Sequence, residues 1–232
     1  MKRPIILSAM AAIVITVAML GGAGSASTAS RKADVALARR ALVVLSDFPS
    51  GWTTSPYSNS GGSPGLKQIA ACLHIPLSVV NYNPPEADSP NFNETALNLQ
   101  VQDSVDVFPN VKIATQQFNL LSGKSLGCVT EVFNSSAIKA MLTREIGKGA
   151  KVGTITASSL PSPAPDNESD AFVIHIPATY RGVTLTVEIE TVTIMSKSKT
   201  EGAQLNFNYS SFSKVPSSLI SHLEAVTVVR LG

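Results

Sequence analysis

Between Ala171 and Tyr209 apolar and polar positions alternate in three successive runs. Phe172, Ile174 and Ile176 mark the first, Val183, Leu185, Val187 and Ile189 the second, and Ala203, Leu205, Phe207 and Tyr209 the third. Thr184, Thr186, Glu188 and Glu190, and then Gln204, Asn206 and Asn208, fill the positions between. A period of two in residues rich in Val, Ile, Thr and Phe predicts strands with one buried face. The turn Thr179-Tyr180-Arg181-Gly182 and the polar stretch Ser196 to Gly202 join them as an antiparallel meander. After Ile189 the apolar parity shifts to Val192 and Ile194, which predicts a β-bulge near Thr191. A fourth run, Leu97, Leu99, Val101, Val105 and Val107, predicts another strand, interrupted by Asp103.

Elsewhere the spacing is helical. Ser30 to Leu45 carries Val35, Leu37, Leu42 and Leu45 and stops at Pro49 and Gly51. Leu66 to Ile75 is a short helix holding Cys72. Pro109 to Leu121 places Val111, Ala114, Phe118 and Leu121 on one face. Leu126 to Ile146 reads as one long helix, with Val129, Val132, Phe133, Ala137, Met141 and Leu142 at helical spacing. Pro216 to Val226 closes the chain as a helix. The stretches Thr53 to Gly65, Asn81 to Asn93 and Ser158 to Ser169 are rich in Ser, Gly or Pro and read as loops, and Val152 to Ile155 is a candidate short strand. The expected fold is α+β, an antiparallel sheet of about four to six strands with a C-terminal meander, flanked by helices.

The start of the chain changes the domain count and the charge. Lys2 and Arg3 precede the apolar run Ile5 to Leu20, and small residues follow. This is the pattern of a secretory signal peptide, residues 1–29, cleaved after Ala26 or Ala29, the alternative being an uncleaved N-terminal anchor. Residues 30–232 then form a single domain. Lys2 and Arg3 account for two of the 18 basic residues, so the mature chain is balanced against its 16 acidic ones. A neutral surface gives no reason to expect nucleic acid, or strong binding to a membrane surface, as partner. Cys72 and Cys128 are the two cysteines. In an exported protein an even count predicts a disulfide between them.

Candidate chemistry is sparse. Gly61-Gly62-Ser63-Pro64-Gly65 matches a serine-hydrolase turn in letters, but Pro64 has no N–H to offer an oxyanion and no strand precedes it. Cys72 and His74 lack a second pair of metal ligands. No phosphate-cradling glycine loop is present, so the domain is expected to work without cofactor or metal. Asp103 and Asp106 differ in parity and would point to opposite faces of a strand. His175 shares a strand face with Ala171 and Val173, and Glu188 or Glu190 of the next strand would lie nearby. It is either an ordinary cross-strand pair or a group titrating near neutrality. Glu188 and Glu190, taken with Asn206 and Asn208, give adjoining strands a hydrogen-bonding face. That face is either solvated or the floor of a cleft, and these four residues together with His175 are the candidate ligand contacts. Trp52, the single tryptophan, is read as a structural anchor of its corner, with ligand stacking as the alternative.

Four segments carry a resemblance: Leu45-Ser46-Asp47-Phe48-Pro49-Ser50-Gly51-Trp52, Ile69-Ala70-Ala71-Cys72-Leu73, Val107-Phe108-Pro109 and Gly127-Cys128-Val129. With the meander and closing helix they resemble exported actinobacterial proteins grouped near the sensor-domain and PsbP/Mog1-like lipoproteins. The resemblance implies a PsbP/Mog1-like sheet flanked by helices and a secreted or cell-envelope location. It also implies ligand sensing or partner binding without catalysis, the partner being a small molecule or an envelope protein. The chain departs from that pattern in having no lipid-attachment cysteine. It also shows no kinase or transmembrane segment to give a sensor its output. Two other functions stay open at this point: an envelope hydrolase using His175, Glu188 and nearby serines, and a structural surface protein joined through its sheet edges.

Overall fold

In the computed structural model, residues 28–57, 65–80, 82, 84–121, 125–161, 168–197, 202–211 and 215–231 are described. Residues 1–27, with most of the signal-peptide pattern, and 58–64, with most of the Gly61–Gly65 motif, lie outside the described residues. Among the described residues no helix is long and apolar enough to cross a membrane.

The meander is the strands β7 (Glu168–Tyr180), β8 (Val183–Lys197) and β9 (Gly202–Ser211). The β7–β8 turn is two residues, Arg181 and Gly182, at φ +51° and +79°. Positive φ at both central positions is the turn whose twist suits a hairpin, and glycine adopts it without strain. Upstream lie β1 (Thr53–Ser55), β2 (Glu86–Asp88), β3 (Asn91–Glu94), β4 (Leu99–Phe108), β5 (Lys151–Val152) and β6 (Thr156–Leu160). Together they form one nine-stranded sheet in the order β1-β3-β4-β9-β8-β7-β5, with β2 on β4 and β6 on β7. Every pairing among the described strands is antiparallel. The fold is α+β, a large antiparallel sheet flanked by helices.

The sheet has more strands than its sequence pattern predicts, for a physical reason. β1, β2, β3 and β6 are three to five residues long and come from segments that read as loops. They are short edge strands recruited by backbone hydrogen bonds from a neighbour, which do not depend on side-chain alternation.

The predicted bulge at Thr191 is absent from the pairing. β7 and β8 pair residue for residue from Tyr180↔Val183 to Glu168↔Met195. The parity shift has another cause, an exchange of the buried face. Ile174, Ile176, Val187 and Ile189 pack on one side, beneath α2 (Leu66–Cys72), α3 (Leu77–Val80), α5 (Leu126–Phe133) and α6 (Ser136–Ile146). Ala171, Val192, Ile194, Phe207, Tyr209 and Val101 pack on the other side, beneath α1 (Thr28–Ala41) and α7 (Ser217–Leu231). Helix α4 (Val111–Leu121) sets Ala114 and Phe118 against Phe108 and Met195. Strand β4, covered from both sides, is buried at every position.

The predicted helix 126–146 is two helices, α5 and α6. Asn134 turns the chain between them, because its side chain is committed to another segment. Nδ2 donates to the carbonyl of Ile155 at 2.7 Å, and Oδ1 accepts the Ile155 N–H at 3.0 Å. Ser135 then N-caps α6 by accepting the N–H of Ile138.

Cys72 and Cys128 are bonded, with Cα atoms 5.7 Å apart, and tie α2 to α5 across 56 positions. A loop of that length is worth about 4 kcal/mol in the chain-entropy description. The double variant Cys72→Ser, Cys128→Ser is therefore expected to lose stability of that order in urea unfolding. An unchanged midpoint would show that the bond constrains little.

Candidate functional site

The corner after α1 is held by charge. Val44 leads into a one-turn 3₁₀ helix, Leu45–Asp47. The Asp47 carboxylate accepts the Val44 N–H at 2.8 Å and both Nη atoms of Arg230, each at 2.8 Å. Arg230 Nη1 also donates to the carbonyl of Leu42 at 2.8 Å. His222 Nε2 lies 3.1 Å from the carbonyl oxygen of Asp47. Burial alone would raise the Asp47 pKa, but the bonds from Arg230 and Val44 outweigh it and hold the carboxyl below its ordinary range. A bidentate pair with a backbone carbonyl on the same guanidinium fixes direction as well as distance. It pins both ends of the corner to α7.

Gly51 turns the chain at φ +99°, and Trp52 folds back beneath it. The Trp52 ring lies 4.6 Å from Phe48, and Phe48 stacks at 4.4 Å on Phe92 of β3. Both Phe48 and Trp52 are buried members of the core under α1 and α7. Their outer edges line a groove of about 550 Å³. Leu97 and Leu219 extend its apolar wall, and Ser46, Ser218 and His222 supply polar atoms. Leu97 is 46% exposed, and the neighbouring Val44 and Leu45 are 47% and 44% exposed. The Glu94 carboxylate accepts the N–H of Leu97 and steadies the β3–β4 turn that presents it.

The residues singled out from the sequence lie elsewhere and do not converge. His175 and Glu188 are direct cross-strand partners, Nε2 to Oε1 at 3.5 Å, each about one-third exposed. The other strand neighbour of His175 is Thr156, so no serine stands opposite it. Glu188 and Glu190 pair with Ser211 and Tyr209, whereas Asn206 and Asn208 pair with Thr193 and Thr191. Those are positions of opposite parity, so the two glutamates and the two asparagines do not share a sheet face. The sequence grouping failed because it aligned adjacent strands by parity alone, without their register. The side chains of Asn206 and Asn208 lie outside the described ones.

A buried acidic group was missed, though its signal was legible: Asp103 occupies an apolar-face position of β4. Its Oδ2 accepts the Val43 N–H at 3.1 Å, while Oδ1 has no partner. Glu224 of α7 and Tyr209 of β9 belong to the same interior, and Glu224 Oε1 and Tyr209 Oη are also unpartnered. Burial pushes Asp103 up to about 7. Burial, and next the charge of Glu190, push Glu224 up to about 8.

No protein-family model matches the chain. No curated protein matches it either. Among solved structures it is similar to the extracellular domain of PknH from Mycobacterium tuberculosis, with 12% identity and a TM-score of 0.41, over 83% of this chain and 95% of that one.

The buried acids set a pH dependence. The folded pKa values of Asp103 and Glu224 lie above their ordinary values of 3.8 and 4.5. The folded state therefore holds protons that the unfolded chain has released. Their contribution to stability is full at acid pH and is lost as pH rises through about 4 to about 8. The free energy of urea unfolding is expected to fall between about pH 5 and pH 8, by about 1.4 kcal/mol per pH unit for each proton held. Glu224→Gln should flatten that slope, and an unchanged slope would show that Glu224 holds no proton in the fold.

Proposed function

We propose that this chain is an exported, sensor-like binding domain without catalysis, and that the groove beside Trp52 holds its ligand. The observation that carries the reading is the groove itself. An aromatic wall of Phe48 and Trp52 meets Leu97 and Leu219, with His222 and Ser218 at hand for orientation. Its volume, about 550 Å³, falls within the range of small-molecule pockets, which favours a small molecule over a protein partner. An apolar wall with few polar groups selects a ligand with an apolar or aromatic body and one or two hydrogen-bonding groups. The corner is also rigid before binding, because Asp47 and Arg230 lock it to α7, so little ordering cost falls on the ligand. The disulfide supports a location outside the reducing cytoplasm. The direct strand neighbours of His175 are Glu188 and Thr156, so the hydrolase reading finds no serine directly opposite it.

Trp52 is the single tryptophan, so its emission reports on this groove. Titration with 1-anilinonaphthalene-8-sulfonate is expected to change Trp52 emission saturably, with one site. Leu219→Glu should weaken that binding by about tenfold or more, equivalent to about 1.4 kcal/mol, while circular dichroism stays unchanged. Equal binding by the folded variant would remove the groove as the site. Mass spectrometry of protein from its own host should show a start at Ser27 or Ser30, and an intact Met1 would remove export.

A further inference from the structure

The balanced charge of the mature chain is not evenly spread over its surface. Helix α1 carries Arg31, Lys32, Arg39 and Arg40, all exposed. At about 100° per residue, Lys32 and Arg39 lie about 20° apart on the helix circumference, with Arg31 and Arg40 about 90° to either side. The cations therefore occupy one half of the helix. The opposite half holds Leu37, Ala38 and Ala41, which pack into the core, and Asp34, the one acid of the helix, which is half-buried.

Surface helices ordinarily pair such charges with acids three or four positions away. Lys32, Arg39 and Arg40 have no acid at that spacing. His175 pairs with Glu188 and Arg230 with Asp47, whereas none of the four α1 cations has a carboxylate partner among the described residues. Helix α7 packs alongside α1 and adds no compensating charge. Its Glu224 is buried, and its Arg230 is held by Asp47. The row of α7 that faces away from Ile220, Leu223 and Thr227 is Ser218, His222, Ala225 and Val229, all exposed. Val229 is 77% exposed, the most exposed large apolar side chain among the described residues. The outer surface of the α1–α7 layer thus combines unpaired cations with an apolar side chain standing in water, and neither helix contributes an exposed acid to it.

We infer that the outer face of α1, with Val229 of α7 in the same layer, docks on an anionic phospholipid bilayer. Each Lys or Arg close to an anionic membrane surface adds attraction, and a cluster of four gives reversible binding. Two observations favour a bilayer over a soluble polyanion. Val229 gains by entering the boundary between headgroups and acyl chains, whereas a polyphosphate or a nucleic acid offers it no apolar contact. Helix α1 also opens at Thr28, eight positions after Leu20 closes the apolar run Ile5 to Leu20. A chain exported behind that run brings α1 out first, beside the membrane just crossed. The net charge of the whole chain conceals this face, because the acids that balance it lie on other elements. The docking stands whether or not the groove beside Trp52 takes a ligand.

Co-sedimentation with vesicles, using protein recovered from its own host, tests this. Saturable binding is expected to vesicles of equal parts phosphatidylglycerol and phosphatidylcholine at about 0.1 M salt. It should fall by about tenfold or more near about 1 M salt, where screening is strong. Phosphatidylcholine alone should bind little. The double variant Lys32→Glu, Arg39→Glu should weaken binding by about tenfold or more with circular dichroism unchanged. Lys32→Arg with Arg39→Lys, which keeps the charge, should bind as the unaltered protein does. The charge-reversed variant should also leave the dye titration of the groove as it is in the unaltered protein, which keeps the two assignments separate. Absence of binding to the anionic vesicles, equal binding to phosphatidylcholine alone, as an uncleaved apolar segment would give, or equal binding by the charge-reversed variant would each overturn the assignment. Retention on heparin without binding to vesicles would overturn it too, in favour of a soluble polyanion.

Discussion

A fifteen-residue strand that changes its buried face midway governs much of this molecule. Strand β8 hides Val187 and Ile189 on one side and Val192 and Ile194 on the other. Helices must therefore cover opposite faces of opposite halves of the sheet, and they do so as two groups. Helices α2, α3, α5 and α6, with the disulfide tying α2 to α5, shield the β7–β8 end. The first and last helices, α1 and α7, shield the β4–β9 end. A sheet served in this way leaves each half with one uncovered or differently covered face. Those leftover faces are where polar chemistry accumulates: His175 and Glu188 at one end, and the amide- and acid-rich face of β2, β3 and β4 at the other.

Helix α7 links interior and surface. Its inner side carries Glu224 into a core that contains Asp103 and Tyr209, and its ends supply Arg230, His222 and Leu219 to the corner at Asp47. The two environments treat carboxylates in opposite ways. Asp47 meets a guanidinium and stays ionised. Asp103 and Glu224 lie in the core, where burial raises their pKa values to about 7 and about 8. A carboxyl kept neutral in a core is tolerated because protonation avoids the much larger penalty of burying its charge.

The groove shows why a site can be composed of residues that advertise nothing individually. Trp52 and Phe48 come from the corner, Leu97 from the β3–β4 turn and Leu219 from the closing helix. Each would pass as core or as an isolated surface hydrophobe. Only their convergence makes a concave apolar wall open to solvent, the groove proposed above as the ligand site.

Much was legible from residue order because it rests on local periodicity. Alternation marked β4, β7, β8 and β9, helical spacing marked the segments of α1, α4 and α7, and the two cysteines pointed to each other. These are properties of neighbours a few positions apart, and side-chain geometry in a strand or helix enforces them wherever the segment lies. What only tertiary structure decided is non-local. It recruited β1, β2, β3 and β6 through backbone hydrogen bonds that no side-chain pattern encodes. It broke one helix at Asn134 because the amide was claimed by Ile155, twenty-one positions away. It also set the register that parts Glu188 and Glu190 from Asn206 and Asn208, and made a change of covered face look, in one dimension, like a bulge. A period of two states which residues share a side, and the helices packed against each half of the sheet decide which side is dry.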